Sequence, residues 1–312
     1  TTAPDDEFVE WAGKLQLGGL GERLLQTILS AGDDRNRLAT ATRRLIESGG
    51  VDLLLAKFIA VDEPLQVQMV RGLQWSGAQE SRALLQQLLA NDAVSALVRS
   101  EIVKSLGRWP AGQKYMLKRI AANDWPEELR FPAANVLLTS EDAAIREQAG
   151  RFLTLPASAD NQPLPPLAEL LKKQGDPARG KSVFAEAGTC AKCHKVRGEG
   201  QEVGPDLSEV GNKLSVEALY ESILNPSAGI SHSYEMYSLL SSDGRTISGL
   251  LVSQTDEEIV LKDKDAVLHK VPRGEVDEFA KQQKSLMPED LQKQLTEQQL
   301  VDVIEYLKTL RK

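Results

Sequence analysis

The chain has 312 residues, of which 41% are apolar and 26% are charged, and it carries a net charge of −8. This composition is typical of a globular protein, and the length predicts two domains, each with a core of its own. The apolar stretches are far shorter than the roughly 18 residues that are needed to span a bilayer, so we expect no membrane span. The acidic balance and the lack of lysine and arginine clusters argue against a nucleic-acid partner.

Residues 1–155 are predicted to form an α-helical domain. Short amphipathic helices alternate in this part of the sequence with turns that contain Gly, Asp, Asn and Pro. The segment 70–75 is echoed at 103–109 and more loosely at 134–138, a spacing of about 30 to 33 residues. This spacing resembles that of HEAT-like repeats, and the resemblance implies an α-solenoid in which each helix pair packs on its neighbours. An irregular helical bundle is the alternative.

Residues 156–166 are predicted to form a linker between the two domains. Four of these residues are proline, and the others are mostly small or polar, which suits neither a helix nor a core. Residues 167–312 are then predicted to form the second domain. Its helical segments enclose a stretch at about 233–274 that is rich in Tyr, Ile, Val and Leu and contains the turn signal Asp243-Gly244. We predict a small, separate antiparallel β insertion on this domain, within a protein that is mainly α.

The most specific motif in the chain is Cys-Ala-Lys-Cys-His at Cys190, Cys193 and His194. Two thiols three positions apart can both reach the vinyl groups of one porphyrin, and the histidine that follows the second thiol then points at the iron. We therefore predict one covalent haem c, with His194 as the proximal iron ligand. A redox dithiol, which does not need the histidine, is one alternative. A zinc site is another, but it needs four ligands and would have to recruit His232 and His269.

The residues around the motif resemble those of class I cytochromes c. Gly180 and Phe184 precede the motif, and Tyr306 lies in the last predicted helix. In that family a glycine lets the first and last helices cross closely, and aromatic side chains fill the contact. Pro205 stands in a segment that resembles the family's loop whose proline carbonyl accepts a hydrogen bond from the proximal histidine. The resemblance thus implies that Pro205 orients His194 and raises its basicity toward iron.

Met287 is predicted to be the distal iron ligand. It directly precedes Pro288 and a predicted helix, as in cytochromes c whose ligand methionine precedes a proline and the last helices. It lies 93 positions after His194, which is too far for a small cytochrome unless the β insertion separates the two. The alternative distal ligands are Met236, His232 and His269, although we expect neither histidine to contact iron.

Several segments of the second domain occur in the same order as in the haem-binding domain that is common in planctomycetes and verrucomicrobia. Besides the haem motif, these segments are 204–207, 221–227, 234–237, 243–245, 248–252, 271–273 and 285–288. The resemblance covers about residues 175–312. In that family the domain often follows HEAT-like repeats and, further upstream, a propeller that resembles sugar dehydrogenases. The resemblance implies a class I-like cytochrome c domain that carries a β insertion.

The sequence predicts a monohaem c-type cytochrome that passes single electrons between redox partner proteins in transient encounters. The helical repeats would serve as a docking or scaffold module. No nucleophile with its base and no phosphate-binding loop is visible, so we expect no catalysis by this chain alone. A C-terminal, electron-accepting part of a larger sugar-type dehydrogenase and a haem-based ligand sensor are the alternatives. Because thioethers to haem normally form outside the cytoplasm, we expect a periplasmic or otherwise exported protein.

Overall fold

The computed structural model describes residues 19–231 and 233–311. The chain divides into two compact units, Thr1–Phe152 and Leu153–Lys312. Helices form the described part of the first unit and the frame of the second, so the protein is mainly α, as the sequence predicts. Within the described ranges, no helix combines the length and the apolar character that crossing a membrane requires.

The described part of the first unit consists of consecutive helices that are joined by short turns. They are α1 (Leu20–Ser30), α2 (Arg35–Glu47), α3 (Val51–Ala60), α4 (Glu63–Ser76), α5 (Ser81–Leu89), α6 (Ala96–Leu106), α7 (Pro110–Ala121), α8 (Arg130–Leu137) and α9 (Ala143–Ala149). Side chains of four residues cap helix N-termini by accepting a hydrogen bond from the first turn: Asp34, Asp62, Ser95 and Asp142. Local chemistry thus sets where these helices begin.

Polar contacts between helices of the first unit recur at a nearly constant spacing. Arg71 of α4 pairs with Glu101 of α6 at 3.1 Å, and the two are 30 residues apart in sequence. Arg99 of α6, which is buried, pairs with Glu128 at 2.7 Å across 29 residues. Both contacts therefore join segments that lie about 30 residues apart in the sequence. The apolar faces of the same helices form the core of the unit, with Leu73, Ile102 and Leu106 fully buried.

The helical frame of the second unit consists of five helices in the part of the chain that the structure describes. They are α10 (Leu167–Leu170), α11 (Pro177–Ala185), α12 (Val210–Lys213), α13 (Val216–Leu224) and α14 (Glu297–Thr309). Asp176 caps α11, and Thr296 caps α14 in a capping box with Gln299. Side-chain caps thus set where α11 and α14 begin.

Helices α11 and α14 cross closely at Gly180. A Cβ atom at this position would lie 2.0 Å from Asp302 O and 2.8 Å from Tyr306 Cβ, so only glycine fits without moving the backbone of α14. One turn further on, the Phe184 and Tyr306 rings meet edge to face, with centroids 5.7 Å apart. The crossing brings the segment that follows α11 next to the C-terminal helix.

An ion pair joins α11 and α14 at the same crossing. The Arg179 guanidinium donates two hydrogen bonds to the Asp302 carboxylate, at 2.8 and 3.1 Å, and the backbone N–H of Asp176 donates a third at 2.8 Å. Burial alone would raise the pKa of Asp302, but these donors hold the pKa below its usual value. The buried carboxylate is therefore charged and fully partnered at neutral pH.

Gly180→Ala is expected to destabilise the second unit by about 2 kcal/mol, even though alanine favours helices more than glycine does. The new methyl group meets backbone atoms, which cannot rotate away as a flexible side chain could. We expect amides of α11 and α14 to exchange with deuterium roughly 30-fold faster than in the unmodified protein. Lys181→Ala, at an exposed position of the same helix, is the control. Equal protection of these amides in both variants would contradict the close crossing.

The strands of the second unit form a two-stranded hairpin, β1 (Lys195–Val196) and β2 (Glu199–Gly200), and a five-stranded antiparallel sheet that lies between α13 and α14 in the sequence. Its strands are β3 (Met236–Ser241), β4 (Thr246–Gln254), β5 (Glu258–Lys262), β6 (Leu268–Pro272) and β7 (Val276–Lys281), and their order in the sheet is β6-β5-β4-β3-β7. The hairpin between β3 and β4 turns at Asp243-Gly244, where Gly244 has a φ of 85°. The buried residues Leu239, Ile259, Leu261 and Val271 form the core of the sheet.

Strand β7 extends the sheet beyond the predicted range of 233–274. The register of β3 and β7 shifts beside Ser241, which faces Val276, and Asp277 is the extra residue at this bulge. Val276 and Phe279 consequently both pack on the sheet core although they are three positions apart. The bulge removes the period-two pattern by which a strand is recognised in a sequence. The predicted insertion is therefore one strand too short.

Residues 156–166, predicted to form a linker, belong to the second unit in the structure. The division of the chain falls before them, between Phe152 and Leu153. An antiparallel bridge joins Ala157 and Pro163, and the backbone N–H of Ala159 donates to Leu295 O at 2.8 Å. Prolines prevent a helix in this segment. The segment instead bends, forms backbone hydrogen bonds and packs on the second unit.

Candidate functional site

The two cysteines and the histidine lie in a tight turn that follows α11. Residues Cys190–Lys192 form a single 3-10 turn, and the backbone N–H groups of Cys193 and His194 both donate to Cys190 O, at 3.0 and 2.8 Å. Gly188 allows the chain to enter this turn, because a Cβ atom there would lie 2.9 Å from Val183 O and 3.1 Å from Cys190 Sγ. The turn thus holds both thiols and the imidazole on one short, internally bonded piece of backbone.

The imidazole of His194 is oriented by a hydrogen bond to Pro205. His194 Nδ1 lies 2.8 Å from Pro205 O, and since a carbonyl oxygen can only accept, Nδ1 carries the hydrogen. Nε2 therefore keeps its lone pair. Burial lowers the pKa of His194, against the opposing effect of the Pro205 bond, so the ring is neutral at pH 7. A neutral imidazole with Nδ1 bonded to a carbonyl is the form that binds a metal through Nε2.

Gly200 and Gly204 shape the surroundings of His194. Gly204 stands in the segment 204–207 that was singled out in the sequence, whereas Gly200 was not. A Cβ atom on Gly204 would lie 2.6 Å from His194 Cε1, so the backbone at Gly204 packs directly on the ring. Gly200 has a φ of 101°, and a Cβ atom there would lie 2.3 Å from His194 O. Gly200 is the last residue of the two-stranded hairpin of β1 (Lys195–Val196) and β2 (Glu199–Gly200), and Gly204 follows this hairpin. The signal in the sequence was that both glycines follow the haem motif at a short distance.

The hairpin folds back on the cysteine turn through backbone hydrogen bonds. The N–H groups of Val203 and Gly204 both donate to Cys193 O, at 3.0 and 2.7 Å. The N–H of Gln201 donates to Ala191 O at 3.0 Å. These bonds carry the chain from His194 to Pro205 and place the proline carbonyl beside the ring.

The two thiols are protonated at neutral pH. Burial raises the pKa of Cys190 to about 11 and also raises the pKa of Cys193, to which the nearby Asp265 carboxylate contributes. Neither cysteine is in a disulfide. A catalytic dithiol needs the opposite environment, one that lowers a thiol pKa toward neutrality. The site therefore suits permanent anchoring of a group better than thiol–disulfide exchange.

The β5–β6 turn of the sheet lies beside the haem motif. The Lys262 ammonium donates to Glu202 O at 2.5 Å, which ties the end of β5 to the loop between His194 and Pro205. Asp265 and Lys264, at the tip of the turn, act electrostatically on Cys193. The insertion was expected to be a separate surface unit. In the structure it is attached to the loop that carries the proximal side of the site.

Two of the alternative ligands, His269 and Met236, have partners within the sheet. His269 Nε2 lies 2.7 Å from Asp263 Oδ2, within the sheet. Met236 is in β3, paired with Leu250 of β4. His232 lies outside the described residues. Among the residues that are described, no three His, Cys, Asp or Glu side chains converge as a metal site, so a zinc site is not assembled there.

Met287 lies in a loop between β7 and α14 and is half-buried. Its backbone N–H donates to Ser285 Oγ at 3.1 Å. Pro288 does not begin an α-helix, contrary to the expectation; a 3-10 turn at Leu291–Gln294 follows, and α14 begins only at Glu297. Glu289 and Asp290 form a turn where the helix was expected. The position of the Met287 loop is therefore set by side-chain contacts rather than by a helix.

The residues of the site fit a c-type haem. Two thiols and a neutral imidazole stand on one turn, Nδ1 is engaged so that Nε2 remains for iron, and Gly204 leaves room for the ring. When bound, such a haem supplies a one-electron Fe(III)/Fe(II) couple. Cys190 and Cys193 would anchor it as thioethers, and His194 would bind the iron.

Part of the second unit is similar to a cytochrome c domain. A family model described as Cytochrome c matches residues 177–242 of the chain. The match begins with α11 and includes Cys190, Cys193, His194 and Pro205, whereas Met287 lies outside it. It supports covalently attached haem c and a haem-based role in electron transfer. A search of curated proteins finds none that matches the chain.

Proposed function

We propose that the protein is a monohaem c-type cytochrome that passes single electrons between partner proteins. The observation that carries this proposal is the 2.8 Å contact between His194 Nδ1 and Pro205 O, next to the two motif cysteines. It leaves Nε2 as an iron ligand in a segment that matches cytochrome c. Cys190 and Cys193 are the thioether anchors, His194 is the proximal ligand, and Pro205 holds the ring. A single attachment motif in the sequence favours one haem.

Met287 is the distal ligand in this proposal. It is half-buried and stands in the loop that leads from the sheet into α14, the helix that crosses α11 beside the haem motif. A thioether opposite an imidazole favours ferrous iron and raises the reduction potential. The other methionine of the second unit, Met236, is part of a paired strand, which restricts its movement toward a ligand position.

The second unit is further proposed to be class I-like and of the planctomycete and verrucomicrobial type. The close crossing at Gly180 and the edge-to-face contact of Phe184 with Tyr306 support a class I-like arrangement of the first and last helices of this unit. The five-stranded antiparallel sheet between the proximal motif and Met287 supports a cytochrome c interrupted by a β insertion.

The first unit is proposed to be a HEAT-like solenoid that serves as a docking or scaffold module. The recurrence of Arg–Glu contacts at separations of 30 and 29 residues supports a repeated helix pair. Redox partners would bind transiently, and catalysis would lie in another domain or protein. Because covalent haem attachment normally occurs outside the cytoplasm, the proposed location is the periplasm or another exported site.

A potentiometric titration of the full chain, followed by haem absorbance, tests the proposed function. We expect one haem per polypeptide and a single transition with a slope of about 59 mV per tenfold change in the ratio of oxidised to reduced protein. A second transition, or more than one haem per chain, would rule out a single one-electron centre. Rapid binding of carbon monoxide by the unmodified reduced protein would favour the haem-based sensor instead.

A further inference from the structure

Ser227 joins the end of α13 to the loop that carries Met287. Its side chain is polar but buried, with 8% of the residue's surface exposed. Its hydroxyl donates to Glu289 Oε1 at 2.8 Å and accepts from the backbone N–H of Ser285 at 3.1 Å. These partners are 62 and 58 residues away in sequence. We call Ser227, Ser285 and Glu289 together the Ser227 bridge.

The bridge encloses Met287 on both sides. Ser285 and Glu289 stand two residues before and two residues after the methionine, and the N–H of Met287 itself donates to Ser285 Oγ. At the start of the loop, the N–H of Gln282 donates to Met236 O at 2.8 Å, which attaches the chain to the sheet. Within the stretch that leads from this attachment to α14, Ser227 thus ties the loop to the segment after α13 at two points.

We propose that Ser227 is a positioning residue that holds Met287 in its ligating position. The proposal rests on the proposed role of Met287 as distal ligand. A serine hydroxyl is both a donor and an acceptor, and the bridge uses both functions at once. Alanine at this position would remove both hydrogen bonds and leave the Ser285 N–H and a Glu289 oxygen without their partner. The loop would open more often, although the backbone on either side of it would remain attached.

Imidazole binding to the oxidised holoprotein measures this opening. Imidazole can occupy the distal position only when Met287 leaves it, so its apparent affinity scales with the fraction of open loop. We expect Ser227→Ala to raise this affinity about tenfold, which corresponds to about 1.4 kcal/mol. The charge-transfer absorption of a thioether bound to ferric haem should weaken, and the reduction potential should fall. The haem should stay covalently attached.

Ser222→Ala is the matched control, because Ser222 is an exposed serine whose hydroxyl bonds only within α13. Glu289→Ala removes one partner of the bridge at an exposed site and tests the proposal even if Ser227→Ala folds poorly. Lys284→Ala accounts for the additional ion pair of Glu289 with Lys284. In the double variant, the effects of Ser227→Ala and Glu289→Ala should be less than additive, since they share one hydrogen bond.

The outcomes separate this inference from the proposed function. If Met287→Ala removes the thioether absorption but Ser227→Ala binds imidazole as Ser222→Ala does, the positioning role of Ser227 is overturned and the distal ligand stands. If Met287→Ala leaves both the absorption and the imidazole affinity unchanged, Met287 is not the ligand and both proposals fall. A tenfold rise in imidazole affinity that is confined to variants of the Ser227 bridge supports the inference.

Discussion

Replacement of both Cys190 and Cys193 by alanine is expected to abolish covalent haem attachment. Each thioether joins one thiol to one vinyl group, so no covalent bond remains in the double variant. Acidified acetone should then extract all of the colour, whereas the unmodified protein should keep it. The intact mass of the unmodified protein should exceed the sequence mass by one haem, and that of the double variant in denaturing solvent should not.

The single variants and a neighbouring control sharpen this experiment. Cys190→Ala and Cys193→Ala each keep one thiol and should retain haem through one thioether. Lys192→Ala, between the two cysteines and exposed, should behave as the unmodified protein. Haem that is extracted from the unmodified protein, or zinc bound to thiolates in its place, would overturn the assignment.

Met287→Ala is expected to lower the reduction potential by at least about 100 mV, within the roughly 0.8 V over which axial ligands set haem potentials. Thioether sulfur binds ferrous iron better than ferric iron, so its loss destabilises the reduced state. The variant should also admit external ligands such as imidazole and lose the thioether charge-transfer absorption. The haem should remain attached, because both cysteines are intact. A redox titration and absorption spectra of the oxidised protein provide the measurements.

Met236→Leu is the control for this substitution. Leucine keeps an apolar side chain of similar size in β3 but has no sulfur. It should leave the potential and the absorption unchanged. If Met236→Leu lowers the potential while Met287→Ala does not, Met236 is the distal ligand and the sheet, rather than the loop before α14, supplies the distal side.

The structure bears out sequence predictions where the signal is local. The helical character follows from apolar periodicity and from caps such as Asp62 and Asp142, each of which acts within three residues. The haem motif is also local, because it consists of five consecutive residues, and its haem-binding role is supported by the match to cytochrome c. The turn at Asp243-Gly244 is equally local, because glycine adopts the positive φ that this hairpin needs. The roles of Pro205 and Met287 came from resemblance and remain proposals.

The sequence alone therefore determines the local chemistry of this protein: a mainly helical chain, a strand-rich insertion, and a Cys-Ala-Lys-Cys-His turn for covalent haem. Tertiary structure decides which distant residues meet that turn and the Met287 loop. Ser227 reaches Glu289 across 62 residues, and Lys262 reaches Glu202 across 60. A bulge hides strand β7 from any test of periodicity. Such contacts depend on how separate elements pack. The role of the buried Ser227 hydroxyl can therefore be inferred only from a structure that shows its two partners.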